Sequence, residues 1–279
     1  DQKEVVNMGI KYLCGILDAL TYMSFASAQV QAAETMRTIF ERGKIVIGVK
    51  ADYKPWGFRD PSGAVIGMEI DMAQDVADKL GVKLEKVVVV GSNRMEFLTQ
   101  GKIDLIIATM GDNPKRRKVV GMIEPNYYAG GANIISAKSA GFKNWSDIKG
   151  KKICGIQGAY YNKRAQQMYA PELMAFKGVT EVTKDLRAGN CQGFIYDSTW
   201  IESKLASGEW DGFEMALPTE DFSLWAVGVR LDDLEGAFGR FMSGIVYQWL
   251  RSGKLLEIEK KWGVKASDYL VKQQKELNQ

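Results

Sequence analysis

At 279 residues the chain exceeds one average domain, so one large or two medium-sized domains are expected. Apolar residues make up 46% and the net charge is only +3, which predicts a globular protein with ample core and excludes an electrostatic case for nucleic-acid binding. The chain has no histidine, which excludes Ser-His-Asp and Cys-His nucleophiles and histidine metal sites.

The N-terminal segment has the pattern of a cleaved signal peptide. Lys11 precedes a mainly apolar stretch at residues 12–25, and small residues follow at positions 26–28. A positive region, a short apolar region and an Ala-x-Ala site in this order are typical of export signals. We therefore predict a signal peptide over residues 1–28. Asp18, a charge inside the apolar stretch, leaves open a second interpretation, an N-terminal helix with a buried apolar face.

The next part of the chain alternates predicted strands and helices. A β-branched run at residues 44–49 predicts a strand, and apolar positions at helical spacing predict a helix over 70–80 that ends at Gly81. Apolar runs at residues 87–90 and 105–108 predict two buried strands. Continuous apolar strands separated by amphipathic helices indicate a parallel sheet covered on both faces.

The pattern then begins again. Residues 152–156 and 193–196 predict strands, and residues 162–169 predict a helix. Between the two sets, residues 128–132 are interpreted as a crossover, and a helical segment returns at 234–262.

Two α/β units joined by ordered connections predict two lobes with a hinge and a ligand cleft between them. The returning helical segment suggests that the chain crosses between the units twice. We assign residues 29–132 and 222–279 to lobe 1 and residues 133–221 to lobe 2. The predicted fold class is α/β.

Two cysteines remain outside the predicted signal peptide. Cys154 and Cys191 each stand at the start or end of a predicted strand of lobe 2. In an oxidising compartment they are expected to form a disulfide, whereas the alternative is two separate buried thiols. Two thiols alone make a poor metal site, so neither a metal nor a cofactor is predicted.

Several short segments, in order along the chain, carry a family resemblance. They include Ile45-Val46-Ile47-Gly48-Val49 with Tyr53-Lys54-Pro55-Trp56, Ile66-Gly67-Met68-Glu69-Ile70-Asp71, Gly101-Lys102-Ile103-Asp104-Leu105-Ile106-Ile107-Ala108, and Leu250-Arg251-Ser252-Gly253 through Lys261-Trp262-Gly263. Together with Arg116 and Asp197 they resemble the bacterial extracellular solute-binding protein family 3, the polar amino acid receptors of ABC importers. Met68 and Glu69 replace the family's usual Phe and Asp.

The resemblance, which covers residues 42–263, implies a periplasmic-binding-protein-like fold and a role in transport rather than catalysis. It implies a polar amino acid as ligand, the permease of an ABC transporter at the inner membrane as partner, and no cofactor. It further implies a monomeric protein located in the periplasm. No catalytic residue is predicted.

The same resemblance implies a clamp for the two charged groups of an amino acid. Arg116 presents a planar fork to the α-carboxylate, and backbone N–H groups around Thr109 and Gly111 complete that cradle. Asp197, from the opposite lobe, pairs with the α-ammonium. Two alternatives stay open: Arg116 as a solvated charge in the basic run 115–118, and Asp197 as the N-cap of a following helix.

Further residues are expected to line the cleft. Tyr53 and Trp56 contribute aromatic faces, with core packing as the alternative for Trp56. In lobe 2 the turn with Gln157, Ala159 and Tyr160 stands where the family has Gly-Ser/Thr-Thr, so its side-chain contacts depart from the family pattern. Tyr161, just after this turn, is a candidate lid.

Basic residues near the cleft bear on the ligand class. Lys50 stands where receptors for lysine or arginine usually carry an acidic residue, and Asn93-Arg94 resembles dicarboxylate-binding members of the family. With Arg116 they favour an acidic or neutral polar amino acid over a cationic one. Arg94 as a structural salt-bridge residue is the equal alternative.

Two other functions use the same fold. Dehydratases acting on cyclic amino acid precursors need a proton donor in the cleft, and a turnover assay with prephenate and arogenate distinguishes them. A ligand-sensing module that signals to a kinase is the other alternative, and gene adjacency to a permease or a kinase separates an importer from a sensor.

Overall fold

The computed structural model describes residues 34–279 of the chain. The signal peptide predicted over residues 1–28 lies outside this range. Within the range, no helix is both long enough and apolar enough to cross a membrane.

Strands and helices alternate along most of the described chain. The strands are β1 (Lys44–Val49), β2 (Asp52–Tyr53), β3 (Gly57–Arg59), β4 (Val65–Ile66), β5 (Lys83–Val88), β6 (Leu105–Ile106), β7 (Val120–Met122), β8 (Tyr128–Ala137), β9 (Lys152–Ile156), β10 (Glu172–Phe176), β11 (Gly193–Asp197), β12 (Phe213–Glu214), β13 (Glu220–Trp225) and β14 (Gly228–Arg230). The helices are α1 (Glu34–Arg42), α2 (Met68–Leu80), α3 (Arg94–Thr99), α4 (Pro114–Arg117), α5 (Tyr161–Tyr169), α6 (Val179–Arg187), α7 (Ser198–Ala206), α8 (Ala237–Ser252), α9 (Lys254–Lys261) and α10 (Asp268–Leu277).

The fold has two lobes, each built on its own sheet. The first sheet has the order β5-β1-β6-β14-β7, and the second has the order β10-β9-β11-β8-β12 with β13 also paired to β8. The sequence predicted parallel sheets, but both sheets are mixed. In the first sheet β1 is parallel to β5 and β6, while β14 runs antiparallel to β6 and β7. In the second sheet β9 is parallel to β10 and β11, while β8 runs antiparallel to β11, β12 and β13.

The prediction of a crossover at residues 128–132 is wrong. These residues form the first half of β8, a strand of ten residues that is almost entirely buried and pairs with β11 and β13. The glycines and alanines there suggested a loop, but they permit close packing, since a Cβ atom on Gly131 would lie 2.4 Å from the Thr219 side chain.

The chain passes between the sheets at residues 123–127, after β7, and at residues 226–227, after β13. The boundaries expected at residues 132 and 222 fall inside β8 and β13. We therefore propose that the lobes divide at these two connections, so that lobe 1 contains residues 34–122 and 228–279.

Two other elements differ from the sequence-based expectation. The strand expected to be buried at residues 87–90 overlaps only the end of β5. That strand runs from Lys83 to Val88 at the edge of its sheet and is largely exposed, whereas Val89, just after it, is buried. The helical segment expected over residues 234–262 is two helices, α8 and α9. They are separated at Gly253, whose φ of 79° lies in the left-handed region that favours glycine.

Cys154 in β9 and Cys191, just before β11, form the predicted disulfide. Both residues are buried in lobe 2 among the residues of its core. The disulfide therefore ties two neighbouring strands of one lobe and does not join the lobes.

We expect this disulfide to stabilise lobe 2 without contributing to the cleft. It closes a loop with a sequence separation of 37 residues, for which the chain-entropy model gives roughly 3–4 kcal/mol, or about 6–16 °C in melting temperature for a chain of this size. Calorimetry of a Cys154→Ala/Cys191→Ala variant measures this loss. Two cysteines that are freely alkylated in native exported protein, before reduction, would contradict the pairing.

Candidate functional site

A cavity lies between the two lobes. It is lined from lobe 1 by Lys50, Gly91, Arg94, Thr109 and Arg116, and from lobe 2 by Ile156, Gly158, Ala159, Tyr160, Tyr161, Tyr196 and Asp197. Its volume is about 30 Å³, comparable to two or three water molecules at roughly 10–15 Å³ each. The two lobes thus lie close together around this cavity.

The cavity wall is built from the carboxyl ends of strands in both sheets. Lys50 directly follows β1, Thr109 follows β6, Gly158 follows β9 and Asp197 is the last residue of β11. Strand ends in open α/β sheets leave a crevice in which ligands bind. The order of strands thus brings residues that are up to 147 positions apart in the sequence to one site.

Arg116 is the buried member of the basic run at residues 115–118. Lys115 and Arg117 are exposed, whereas Arg116 is only 7% exposed. The short helix α4 fixes its position, since the side chain of Asn113 accepts a hydrogen bond from the Arg116 backbone N–H at 3.0 Å. The interpretation of Arg116 as a solvated surface charge is therefore wrong.

The Arg116 guanidinium crosses the cleft. Its Nη1 donates to the Gly111 carbonyl at 2.7 Å in lobe 1, and its Nη2 donates to the Gly158 carbonyl at 2.9 Å in lobe 2. These bonds use two of its five N–H donors. Burial, followed by the nearby charge of Arg94, lowers the pKa of Arg116 to about 9, so it remains charged at neutral pH.

Asp197 faces the cavity from lobe 2. It occupies the N-cap position of α7, but its side chain makes no capping hydrogen bond. Its Oδ2 instead accepts a hydrogen bond from the Tyr53 hydroxyl of lobe 1 at 2.9 Å. Burial raises the pKa of Asp197 to about 6, although the bond from Tyr53 and the charge of Arg94 act in the opposite direction. The N-cap alternative thus describes its position but not the use of its carboxylate.

Arg94 and Lys50 add positive charge to the wall. Arg94 is 5% exposed, its Nη1 donates to the Ala108 carbonyl, and it has no ion pair among residues 34–279. Burial lowers its pKa. Lys50 is 2% exposed, and its Nζ lies 3.0 Å from Oδ1 of Asp52. The salt-bridge interpretation of Arg94 is therefore not supported by the described contacts, and the wall carries more positive than negative side chains.

Thr109 lines the cavity but its backbone N–H does not serve the cradle, contrary to prediction. That N–H donates to Oε1 of the buried Glu69 at 2.7 Å, and the Tyr127 hydroxyl donates to the same oxygen. Burial raises the pKa of Glu69 to about 7. Because Thr109 has a positive φ of 47°, unusual for a residue other than glycine, we interpret Glu69 as the group that holds this backbone in place.

The structure places the ten predicted ligand residues in three groups. Those that line the cavity are Arg94, Thr109, Arg116, Ala159, Tyr160 and Asp197. Tyr53 and Gly111 lie just behind it and bind Asp197 and Arg116. Trp56 packs against Tyr53, Tyr128 and Trp225 in the core, and the side chain of Gln157 donates to the Ala175 carbonyl away from the cavity.

Besides Lys50, five residues that were not among the ten predicted ligand residues line the cavity: Gly91, Ile156, Gly158, Tyr196 and Tyr161, the last of which was predicted only as a candidate lid. Their shared signal is a position at, or a few residues beyond, the carboxyl end of a strand. Gly158 has a further role, because a Cβ atom there would lie 2.6 Å from the Gly91 carbonyl oxygen of the other lobe. The two backbones approach closely where the lobes meet.

Two α/β lobes that enclose a cleft, with a buried arginine from one lobe and a buried aspartate from the other, define a two-lobed solute-binding protein. Residues 45–265 match the family of bacterial extracellular solute-binding proteins, family 3. The chain belongs to this family.

Individual relatives agree with this assignment. The chain is 26% identical to the ABC transporter glutamine-binding protein GlnH of Bacillus subtilis (strain 168), over 82% of this chain and 84% of the relative. It is 24% identical to the arginine-binding extracellular protein ArtP of the same organism, over 78% and 86%. Its fold is similar to that of the P235GK mutant of ArgBP from T. maritima, with a TM-score of 0.76, 24% identity and coverage of 82% and 98%.

Proposed function

We propose that this protein binds a polar amino acid between its lobes and delivers it to the permease of an ABC importer. One observation carries the proposal: Arg116 and Asp197 are buried, belong to different lobes, line one cavity and form no ion pair within residues 34–279. Buried charges without partners are costly. The carboxylate and ammonium groups of an amino acid supply both partners at once, and so favour lobe closure.

Delivery to an importer implies that the protein works outside the cytoplasm. The family consists of extracellular solute-binding proteins. One relative is named as an ABC transporter glutamine-binding protein and another as an arginine-binding extracellular protein. We propose a monomer in the periplasm, exported by the N-terminal signal peptide predicted over residues 1–28. The disulfide is consistent with an oxidising compartment. In this proposal the protein carries out no turnover.

The ligand class is proposed from the charges of the wall. Lys50, Arg94 and Arg116 are cationic and Asp197 is the anion that faces them. Once Arg116 and Asp197 pair with the backbone groups of the ligand, a positively charged ligand side chain would meet only like charge. We therefore propose an acidic or neutral polar amino acid rather than a cationic one.

A thermal-shift screen against the common amino acids tests the proposed function. A ligand at 100 times its dissociation constant adds about 2.7 kcal/mol to the free energy of unfolding, or roughly 5–10 °C. We expect such a rise with at least one acidic or neutral polar amino acid and none with lysine or arginine. A screen in which no amino acid raises the melting temperature would contradict the proposal.

Arg94 distinguishes acidic from neutral ligands. Arg94 lines the cavity, and its Nε has no hydrogen-bond partner among the described residues. Arg94→Ala is therefore expected to lower affinity for glutamate or aspartate by roughly 30-fold or more, as for loss of a buried charge partner. Affinity for a neutral amino acid should change by less than about threefold, within the range of one weak contact. Calorimetric titration of both ligands measures the difference. Equal losses for the two ligands would assign Arg94 a structural role instead.

Ligand affinity should also depend on the protonation of Asp197. Its carboxyl has a pKa of about 6 and must be ionised to pair with an ammonium group, so affinity is retained above this pH and falls below it, toward tenfold per pH unit. Dissociation constants measured from pH 8 to pH 5 test this. Arg116, with a pKa of about 9, stays charged over the range.

Glu69 titrates in the same range, with a pKa of about 7. A Glu69→Gln variant retains an acceptor for the Thr109 N–H and separates the two groups. If Asp197 is responsible, this variant keeps the fall in affinity near pH 6. An affinity that is constant from pH 7 to pH 5 in the unaltered protein would rule out an ionised Asp197 as the ammonium partner.

A further inference from the structure

A second contact between the lobes involves none of the clamp residues. Asp52 lies in β2 of lobe 1, and its Oδ2 accepts a hydrogen bond at 2.9 Å from the backbone N–H of Val179, the first residue of α6 in lobe 2. The approach is close: a Cβ atom on Gly178, the residue before the helix, would lie 3.2 Å from the same oxygen. The carboxylate therefore sits at the N-terminus of a helix that belongs to the other lobe.

Helix α6 lacks a cap of its own. Its first N–H groups have no partner within the helix, and Gly178 at the N-cap position has no side chain with which to accept them. A carboxylate at this end is favoured both as an acceptor and by the positive end of the helix dipole. Asp52 thus supplies from lobe 1 a cap that lobe 2 does not provide for itself, and opening of the lobes breaks that contact.

The other oxygen of Asp52 pairs with a residue of the cavity wall. Oδ1 lies 3.0 Å from Nζ of Lys50, which is 2% exposed and lines the cavity wall. The Asp52 side chain is itself 19% exposed. One carboxylate therefore joins a cationic residue of the cavity to a helix of the opposite lobe.

We infer that Asp52 is an interlobe latch that stabilises the closed arrangement before ligand binds, and a positioning residue that holds Lys50 in the cavity wall. The inference rests on the proposed function only in that closure accompanies amino acid binding. The latch shifts the equilibrium between open and closed lobes toward closed, and this shift raises the apparent affinity of any ligand that binds the closed form.

Two variants, one in each lobe, test the latch. Asp52→Ala removes the cap and the partner of Lys50. Gly178→Ser gives α6 a cap from its own lobe and crowds Asp52 with a Cβ atom, so closure gains less from Asp52. The matched control is Asp211→Ala, which removes an exposed aspartate that no contact joins to lobe 1 among the described residues.

The first measurement needs no ligand. Small-angle X-ray scattering of the ligand-free protein should give a larger radius of gyration for Asp52→Ala and for Gly178→Ser than for the unaltered protein and Asp211→Ala. The second measurement is calorimetric titration with the amino acid that ranks first in the thermal-shift screen. Asp52→Ala is expected to bind it roughly five- to thirtyfold more weakly, the loss that corresponds to one charge-assisted hydrogen bond in a partly exposed position.

The outcomes separate the latch from the proposed function. Unchanged scattering for Asp52→Ala, with or without a loss of affinity, would overturn the latch, as would an affinity within twofold of the unaltered protein. An unaltered protein that binds no amino acid contradicts the proposed function instead, and the scattering comparison still decides whether the latch exists. An expansion in both variants, which alter different lobes, supports the latch over local misfolding.

Discussion

Replacement of Arg116 by alanine is expected to lower amino acid affinity by roughly 30-fold to several thousandfold, which corresponds to about 2–5 kcal/mol. The guanidinium lies in the cavity wall at 7% exposure and has N–H donors beyond those used by Gly111 and Gly158. Without the guanidinium, the carboxylate of a bound ligand would be buried with no cationic hydrogen-bond donor beside it. Most of the lost binding free energy is the cost of burying that unpaired charge. Calorimetric titration of the purified variant measures the change.

Two substitutions serve as controls for this result. Arg116→Lys keeps the charge but not the planar fork, so an intermediate loss is expected. Arg117→Ala removes the neighbouring arginine, which is exposed and paired with Asp112 and Glu124, and should leave affinity unchanged. Binding by Arg116→Ala as tight as that of Arg117→Ala would show that the carboxylate site lies elsewhere.

Replacement of Asp197 by asparagine is expected to have an effect of similar size, again about 2–5 kcal/mol, because the ligand ammonium would lose its only ionised partner among the lining residues. Asparagine retains an acceptor for the Tyr53 hydroxyl, so the variant removes the charge and little else. Its remaining affinity should no longer fall as the pH drops through about 6, where the pKa of Asp197 lies.

Tyr53→Phe is the matched control for Asp197. It removes the hydrogen bond of 2.9 Å but leaves the carboxylate, so we expect a loss of no more than about tenfold, in line with a neutral donor to a charged acceptor. If Asp197→Asn loses no more affinity than Tyr53→Phe, the carboxylate charge does not contribute to binding.

The lobes and the centre of the site were predicted from different kinds of sequence information. Strand and helix periodicity was sufficient for β1, α2, β9 and α5, because their apolar patterns are local. Periodicity alone could not separate Arg116 from the three basic residues beside it. Its selection came from the family resemblance, and the burial of that side chain agrees with it.

The failures concern contacts that depend on distant parts of the chain. The Tyr128–Ala132 segment has the composition of a loop, and only its pairing with β11 and β13 makes it a buried strand. The Thr109 N–H donates to Glu69, which lies 40 residues earlier in the chain. Asp52 accepts a hydrogen bond from the first residue of α6, which lies 127 residues later. No local pattern in a single sequence reports such partners.

The most direct test of an amino acid clamp between the lobes compares the amino acid that ranks first in the thermal-shift screen with its two truncated analogues. One analogue is the amine that lacks the α-carboxylate, and the other is the acid that lacks the α-ammonium. Calorimetric titration should show one site for the intact amino acid and binding weaker by roughly 30-fold or more for each analogue, since each leaves the charge of Arg116 or of Asp197 buried without an ion-pair partner. An analogue that binds as tightly as the intact amino acid would contradict the clamp.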